Sequence, residues 1–351
     1  MIVRALTALS VVPFVLGAAA APAQHRDVVF GFTDAAIDEA SALVALPGGL
    51  FATTNDSGDT GRVFAVDAHG DTVGVTRWGD ATDVEALAAA PDGRIWVGDI
   101  GDNRSVRPSV QVAEVPVGRG DRTVTPTVYD LVYPDGSHDA ETLLCDPATG
   151  RLYVATKQWA GGVLYAAPRR LSAAHPNRLR KVAAVLPIAT DGVFLPDGRH
   201  VIIRGYPSAT VYRWPSMRPV RSLAMPVQPQ GEGIAVTAPT ASAVGQVLVS
   251  SEGLHSKVLR VALPAGLRRT LGLARLPASS SGASTASTGS TPSPSPAPGT
   301  DSSAPGTDST APRADSAGKE TGHEWWPWLI VAVVGAGAAG AIWRVTRCPP
   351  R

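Results

Sequence analysis

The chain of 351 residues has only two cysteines, Cys145 and Cys348, which excludes a disulfide framework. In the topology inferred below, the two cysteines lie on opposite sides of a membrane and cannot pair. We therefore expect the folded part to be held together by its core alone. Cys145 lies between Leu144 and Asp146 in a predicted strand, where we expect a buried small residue rather than a nucleophile.

Several function classes are disfavoured because the motifs and charge patterns typical of them are missing from the sequence. The seven histidines show no paired ligand spacing, which disfavours a zinc site. No Gly-x-Ser-x-Gly elbow, P-loop or dinucleotide fingerprint is present in the sequence. The net charge is +1 and no basic stripe is interleaved with aromatic residues, so we expect no nucleic-acid partner. Helical periodicity is missing from the central part of the chain, which favours an all-β fold.

The two ends of the chain differ in composition from its middle. Residues 1–23 contain Arg4, an apolar stretch and a small-residue cleavage site, which is typical of a secretory signal peptide. Residues 277–322 are dominated by Ser, Thr, Pro, Gly, Ala and Asp. Such a segment cannot bury enough apolar surface to fold, so we expect a disordered linker. The expected ectodomain lies between them, at residues 24–276.

A membrane anchor is predicted after the linker. Residues 323–343 contain a charge-free apolar stretch with tryptophans at both ends, close to the roughly 20 residues that cross a bilayer as a helix. Residues 344–351 contain three arginines, which by the positive-inside rule makes them a short cytoplasmic tail. We therefore expect a single-pass protein of the cell membrane with an extracellular N-terminal domain and a single C-terminal transmembrane helix.

A short acidic signature recurs along the ectodomain. It is Asp-Val-Glu-Ala-Leu at residues 83–87 and Asp-Ala-Glu-Thr-Leu at residues 139–143, and looser copies begin near Glu39, Asp191 and Glu232. The signature opens five units of roughly 40–55 residues, which is the period at which propeller blades repeat.

Four short strands are predicted in each unit. In the second unit they are Ala86–Ala90, Arg94–Asp99, Val110–Val117 and Thr123–Val132. We therefore predict an all-β β-propeller of five four-stranded blades, with six blades as the alternative. Two segments compete to close the ring beside Lys257–Leu263 of the last blade, namely Val28–Phe32 and Thr270–Leu276.

Two families of loops converge at one end of such a propeller, because the chain enters each inner strand from that end and returns to it on the second strand. Both families are rich in carboxylates, and we call this end the acidic face. The first family carries Glu39, Asp83, Glu85, Asp139, Glu141, Asp191 and Glu232. The second family carries Asn55, Asp56, Asp99, Asn103, Lys157, Arg204 and Glu252.

Carboxylates that meet in a low dielectric repel one another, so the acidic face requires a cation, basic partners or raised pKa values. Its oxygen-rich loops suit Ca²⁺, which accepts six to eight oxygen ligands. The expected metal ligands are Asp83, Glu85, Asp99, Asp139 and Glu141. The expected ligand-binding residues are Asn55, Asp56, Asn103, Lys157, Arg204 and Glu232.

Two other interpretations of the acidic face stay open. Asp-Gly and Asn-Asp-Ser-Gly segments form turns whose side chains bond to nearby backbone amides. Lys157, Arg204 and Arg104 also offer structural ion pairs that would neutralise the acids. The two histidines at this face, His138 and His255, are expected to be exposed loop residues rather than general bases.

Several motifs carry a family resemblance. They are Asn-Asp-Ser-Gly at 55–58, Asp-Val-Glu at 83–85, Gly-Asp-Ile-Gly-Asp-Asn at 98–103, Asp-Ala-Glu at 139–141 and Thr-Lys at 156–157. Together they resemble a family of secreted bacterial propeller proteins. Residues 231–235, Gly-Glu-Gly-Ile-Ala, are similar to an element of the esterase-like phytase propellers and their NHL-like relatives.

The resemblance covers most of residues 27–262 and implies a calcium-holding propeller, with phosphatase, esterase or lactonase activity in some members. The chain departs from the phytases of this group, which grip phosphate with several basic residues. Here only Lys157 and Arg204 take such positions. Relatives also commonly have six blades rather than five.

Two functions remain as hypotheses. The first is a cell-surface binding or scaffold module that holds an extracellular protein, a glycan or a small ligand. The second is a Ca²⁺-dependent hydrolase of a phosphoester, lactone or ester, in which the ion activates water. Glu85 or Glu141 would then be the general base, with Asn55, Asp99 and Asn103 as ion or substrate ligands. A shallow face capped by ion pairs would favour binding.

Overall fold

Five β-sheets form the described part of the chain, each as one blade of a propeller. The computed structural model describes residues 27–237 and 245–271. The chain opens with strand β1 (Asp27–Gly31), and the first blade then contains β2 (Val44–Ala45), β3 (Phe51–Thr53), β4 (Gly61–Val66) and β5 (Thr72–Gly79). A 3₁₀ turn at Pro47–Gly49 joins β2 to β3.

The next three blades follow in chain order. The second contains β6 (Val84–Ala89), β7 (Ile95–Asp99), β8 (Val110–Val115) and β10 (Val128–Val132), after the short β9 (Arg122–Thr123). The third contains β11 (Ala140–Cys145), β12 (Leu152–Thr156), β13 (Gly162–Ala166) and β15 (Arg180–Val185), with the short β14 (Asn177–Arg178) before its last strand. The fourth contains β16 (Asp191–Phe194), β17 (His200–Arg204), β18 (Ser208–Arg213) and β19 (Arg218–Ala224).

The last blade closes the ring. It contains β20 (Ile234–Ala235), β21 (Gln246–Val249) and β22 (Lys257–Ala262), followed by the helix α1 (Ala265–Thr270). The first strand of the chain, β1, pairs antiparallel with β22. Of the two predicted closures, the one through Val28–Phe32 is therefore correct. Thr270 belongs to α1 instead, and residues 272–276 lie outside the described residues.

Inner strands of neighbouring blades contact one another around the whole ring, from β2 through β6, β11, β16 and β20 back to β2. The prediction of five four-stranded blades is thus confirmed, and the six-bladed alternative is wrong for the described residues. The hydrophobic cores lie between neighbouring blades. Between the second and third blades, for example, Val112 packs with Leu143 and Val154, all three nearly inaccessible to solvent. Burying each such side chain stabilises the folded state by about 1.5–3 kcal/mol.

Two connections differ from the prediction. β9 and β14 each pair parallel with the outermost strand of the preceding blade, β5 and β10 respectively. The predicted strand Thr123–Val132 is therefore split, because Thr123 pairs with the first blade and only the later part pairs with β8. These additions cover sheet edges that would otherwise expose unpaired backbone groups.

Several predictions lie outside the described residues. They concern the signal peptide 1–23, the linker 277–322, the transmembrane helix 323–343 and the tail 344–351. Within the described ranges, no helix reaches the length and apolar character that a membrane crossing requires. Cys145 lies buried in β11, as predicted. Its thiol pKa is raised to about 12, chiefly by burial and next by the charge of the nearby Asp146.

Candidate functional site

The pairing of the first two strands in a blade brings the two loop families of the acidic face together. Val84 is opposite Asp99 across β6 and β7. In the fourth blade, Asp191 is opposite Arg204 across β16 and β17. Residues that open an inner strand therefore lie beside residues that end the second strand, and polar side chains from neighbouring blades meet near the axis of the ring.

Three glutamates from three blades form the centre of the acidic face. They are Glu85, Glu141 and Glu232, and each is less than 5 % exposed. Burial raises the pKa of Glu141 well above its ordinary range, and Glu232 and Glu85 raise it further. Burial, followed by the charge of Asp83, raises the pKa of Glu85 in the same way. The centre therefore disfavours its own negative charge unless a cation joins it.

An ammonium group reaches this centre from the loop after β12. Lys157 forms an ion pair with Oε1 of Glu141, and its Nζ lies 5.5 Å from the centroid of the Tyr206 ring. Burial alone would lower the pKa of Lys157, but Glu141 and then Glu232 raise it. Lys157 therefore stays charged and offsets only part of the charge that the glutamates can carry.

Arg204 is fully buried, and its guanidinium donates to two backbone carbonyl oxygens and to the side-chain oxygen of Gln228. It donates to the carbonyl oxygens of Gly233 at 2.5 Å and Ser250 at 2.8 Å. Position 231 requires glycine, because a Cβ on Gly231 would overlap the guanidinium. Burial lowers the pKa of Arg204 to about 10, while the charge of Glu232 opposes that shift. Arg204, expected to bind a ligand, has the contacts of a residue that holds the last two blades together.

Asp83 and Glu85 lie side by side as a pair of carboxyl groups. The hydroxyl of Ser41 donates to Oε2 of Glu85 at 2.7 Å. The pKa of Asp83 is raised to about 6, chiefly by burial. The hydrogen bond with Glu85 opposes this rise, and the charge of Asp139 adds to it. Gly101 is required beside this pair, because a Cβ there would overlap the Asp83 carboxylate. The pair is thus held closely from both sides.

Further carboxylates surround the centre. The pKa of Asp56 is raised to about 8. Burial is the largest cause, and the hydrogen bond with Glu39 and the charge of Glu252 also raise it. Burial also raises the pKa of Glu252 to about 8, with the charge of Glu232 as the next cause. Near neutral pH these two groups are therefore largely protonated in the ion-free protein.

The loop Gly-Asp-Ile-Gly-Asp-Asn is organised by its own aspartates. Asp99 accepts two backbone N–H groups from the neighbouring loop and forms an ion pair with Arg107 at 2.8 Å. Asp102 accepts two more N–H groups from within its own loop. Asn103 is exposed. Asp99 and Asp102 therefore have the contacts of turn residues, and an ion at Asp99 would compete with these donors.

Two other predicted residues are also engaged in loop structure. The side-chain amide of Asn55 donates to the carbonyl oxygen of Ala36 at 2.8 Å, so it fixes the loop before β2. Oδ1 of Asp139 accepts the N–H of Asp102 at 2.9 Å. Burial raises the pKa of Asp139, against that hydrogen bond. The side-chain oxygen of Asn55, in contrast to its amide nitrogen, is buried without a well-aligned donor.

Six oxygen acceptors of the acidic face have no well-aligned hydrogen-bond donor among the described residues. They are Asn55 Oδ1, Asp56 Oδ1, Asp83 Oδ1, Glu141 Oε2 and both carboxylate oxygens of Glu232. The side-chain amide of Gln230 donates to Glu252, and both residues lie close enough to Glu232 to oppose the rise in its pKa that burial causes. Leaving such an acceptor buried without a donor costs about 1–3 kcal/mol. The described side chains do not form a ready-made metal-ligand group, so an ion would have to draw these oxygens together.

His138 differs from its expected exposed position. It packs against the rings of Tyr133 and Tyr165, with ring centroids 5.0 Å and 5.7 Å away. Its Nε2 lies 3.2 Å from Oδ1 of Asp135. His255 is exposed, as expected, and its Nδ1 lies 3.1 Å from the carbonyl oxygen of Phe32.

A cavity opens at the other end of the ring, and no motif in the sequence predicts it. It has a volume of about 570 Å³ and is lined by the far ends of the inner strands and by the turns that follow them. Leu43, Leu144, Phe194 and Ile234 are among its largely apolar lining residues. The cavity and the carboxylates thus lie at opposite ends of the propeller axis.

No protein-family model matches the chain, and no curated protein sequence matches it. An auxiliary nutrient binding protein from Bacteroides thetaiotaomicron is similar in structure, with 10 % identity, a TM-score of 0.39 and coverage of 66 % of this chain. The chain spans only 57 % of that protein. Glutaminyl cyclase of Myxococcus xanthus has 13 % identity and a TM-score of 0.43, over 68 % of this chain and 97 % of its own.

Hydrazine synthase of Kuenenia stuttgartiensis is a third similar structure, with 15 % identity and a TM-score of 0.36, over 66 % of this chain and 68 % of its own. At these identities and TM-scores the similarities carry no argument about activity or ligands. The resemblance to secreted bacterial propellers and to esterase-like phytases therefore stays a prediction from the motifs.

Proposed function

We propose that this protein is an extracellular binding module, anchored in the cell membrane by its C-terminal segment, whose acidic face holds a cationic ligand. The observation that carries the proposal is the set of six unpartnered oxygen acceptors. Glu232 is the strongest member, since it is 1 % exposed and neither of its carboxylate oxygens has a well-aligned donor among the described residues. A bound cation would remove the free-energy penalty of these buried acceptors and would stabilise the folded state.

Ca²⁺ is the ion that this donor set suits best. It takes oxygen ligands in irregular arrangements, and carboxylates and amide oxygens are both acceptable to it. Asp83, Glu85, Glu141 and Glu232 would supply the carboxylates, and Asn55 the amide oxygen. These residues come from several blades, so a bound ion would also tie the blades together.

A second candidate function is a Ca²⁺-dependent hydrolase of a phosphoester, lactone or ester. The close Asp83–Glu85 pair favours it, because burial raises the Asp83 pKa to about 6, near the value that suits a general acid or base. Glu85 or Glu141 would take the proton of the attacking water, and the ion would polarise the substrate. The ion pairs Lys157–Glu141 and Arg107–Asp99 cap the face and favour the binding module.

The experiment is a thermal unfolding titration of the purified protein at pH 8 with Ca²⁺, with Mg²⁺ and with EDTA. A ligand at a hundred times its Kd stabilises the folded state by about 2.7 kcal/mol, which is a rise of roughly 5–10 °C for a domain of this size. We expect this rise with Ca²⁺ and a much smaller one in the Glu232→Gln variant. An unchanged melting temperature at millimolar Ca²⁺ would remove Ca²⁺ from the proposal.

A further inference from the structure

Exposed hydrophobic side chains are concentrated at the acidic face. Six large hydrophobic residues are strongly exposed in the described ranges, and four of them lie in loops of this face. They are Val106, Trp159, Val227 and Leu254, which are 58–83 % exposed and which we call the apolar rim. The other two, Val28 and Val128, lie on the outermost strands β1 and β10.

The apolar rim lies on several sides of the carboxylate centre. Val106, Trp159 and Leu254 occupy the loops that follow the second strands of the second, third and fifth blades, and Val227 occupies the loop between β19 and β20. Trp159 is two residues from Lys157, which contacts the centre through Glu141. A partner that carries both positive charge and apolar groups could cover the carboxylate centre and these exposed side chains together.

Resting on the proposed function, we propose that the occupant of the acidic face is a basic polypeptide segment: its lysine or arginine enters the carboxylate centre, and its neighbouring apolar residues pack on the apolar rim. Charge complementarity selects this partner. The unpartnered oxygens of Glu232 and Glu141 need positive charge or N–H donors, and a lysine or arginine supplies both.

Other partners use only part of this surface. A bare metal ion would satisfy the carboxylates and leave Trp159 and Leu254 in water. A neutral glycan would stack on Trp159 but bring no charge to Glu232. An anionic membrane surface would bring no positive charge to Glu232. An aromatic anchor beside a buried charge is also the composition typical of hot spots in protein interfaces.

The test uses the purified protein and a dye-labelled, capped peptide with one lysine flanked on both sides by leucine and valine, followed by fluorescence anisotropy. A matched peptide carries acetyl-lysine, and lysine amide serves as the free cation. We expect the lysine peptide to bind at least tenfold more tightly than either probe. Trp159→Ala should weaken the peptide at least tenfold and leave stabilisation by lysine amide and Ca²⁺ unchanged. The control Val28→Ser, an exposed valine away from the loops, should change nothing.

Three results would overturn the inference while leaving the proposed function intact. One is a lysine peptide that binds no more tightly than lysine amide, with Ca²⁺ or lysine amide still stabilising the protein. Another is peptide binding that survives both Trp159→Ala and Leu254→Ser. Binding to phosphatidylserine vesicles that depends on Trp159, with no peptide binding, would also overturn it. Loss of the response to the peptide, lysine amide and Ca²⁺ together would instead remove the proposed function itself.

Discussion

Lys157 pairs with one carboxylate oxygen of Glu141 and leaves the other, Oε2, buried without a donor. This ion pair is partly withdrawn from solvent, with the two side chains 19 % and 5 % exposed. The acidic face is therefore neither fully neutralised nor free of internal pairing. Lys157 and the buried Arg204 offset part of the charge of this face, and a ligand would satisfy the acceptors that remain.

Replacing Lys157 by methionine should leave Glu141 buried without a partner. Breaking a buried pair from one side costs roughly 3–5 kcal/mol, so we expect a loss of about 3 kcal/mol in the free energy of unfolding at pH 8. Denaturant unfolding followed by tryptophan fluorescence measures it. The matched control is Lys181→Met, because Lys181 pairs with Asp135 while itself 57 % exposed, and such surface pairs contribute about 0–1 kcal/mol. Equal losses in the two variants would contradict the role given to Lys157.

Arg204→Met should remove two hydrogen bonds that a charged guanidinium donates to backbone carbonyl oxygens. Each carbonyl keeps a backbone N–H donor, so what is lost is the pair of charge-assisted hydrogen bonds. Hydrogen bonds to charged groups contribute about 1.5–3 kcal/mol each, so the loss of stability should reach at least 2 kcal/mol. Arg204→Lys should restore little of it, because an ammonium cannot reproduce the planar fork. Arg213→Met, on the exposed side of β18, is the control and should change the midpoint of denaturation only slightly. Full rescue by lysine would show that charge alone matters at this position.

The backbone at Gly101 lies so close to the Asp83 carboxylate that a side chain at this position should lower stability. Gly101→Ala would place a methyl group against the Asp83 carboxylate, and overpacking of this kind costs about 1–3 kcal/mol. It should also weaken the response to Ca²⁺, because Asp83 must move. Gly118→Ala is the control, since a Cβ there meets nothing closer than 4.0 Å. Thermal melts of both variants, with and without Ca²⁺, decide the point, and a Gly101→Ala protein that behaves like Gly118→Ala would refute it.

The stability of the ion-free protein should fall as pH rises. In the folded state the pKa values of Asp56 and Glu252 are raised to about 8, from ordinary values of 3.8 and 4.5. Between about pH 4 and pH 8 the folded state therefore binds more protons than the unfolded state, and its stability decreases as pH rises through this window. Above about pH 8 these two groups contribute no further loss of stability.

A cation bound at the acidic face favours the ionised form of the nearby Asp56 and Glu252 and so releases their protons, so its stabilising effect should grow over the same pH range. Melting temperatures measured from pH 4 to pH 9, with EDTA and with Ca²⁺, test both statements. The two curves should diverge towards pH 9. Parallel curves would mean that Asp56 and Glu252 are not linked to the bound ion.

Much of the fold was predictable because the acidic signature marks where each inner strand begins. Inner strand β6 begins at Val84, between Asp83 and Glu85, and turn aspartates such as Asp92 mark where the chain reverses, by accepting the N–H of Arg94. The two-residue strands β9 and β14 could not be predicted, because tertiary contact with the preceding blade sets their pairing and no sequence period does.

The chemistry of individual site residues was harder to predict than their location. Arg204 follows an apolar strand as an ordinary loop residue would, and only the folded chain shows its guanidinium bonded to carbonyl oxygens of the last blade. Asp99 belongs to the most specific motif, yet its oxygens are used by N–H groups and Arg107. The apolar rim does leave a signal: Trp159 and Leu254 are large apolar residues within polar loops, where no burial requires them.

The proposed function depends on a cation held by the carboxylates of the acidic face. Calorimetric titration of Ca²⁺ into the EDTA-treated, dialysed protein at pH 8, compared with Glu232→Gln, measures this binding. Glutamine keeps the shape of the side chain and removes its charge. We expect saturable binding that Glu232→Gln weakens at least tenfold, which is about 1.4 kcal/mol. No heat of binding in either protein, or equal affinity in both, would contradict it.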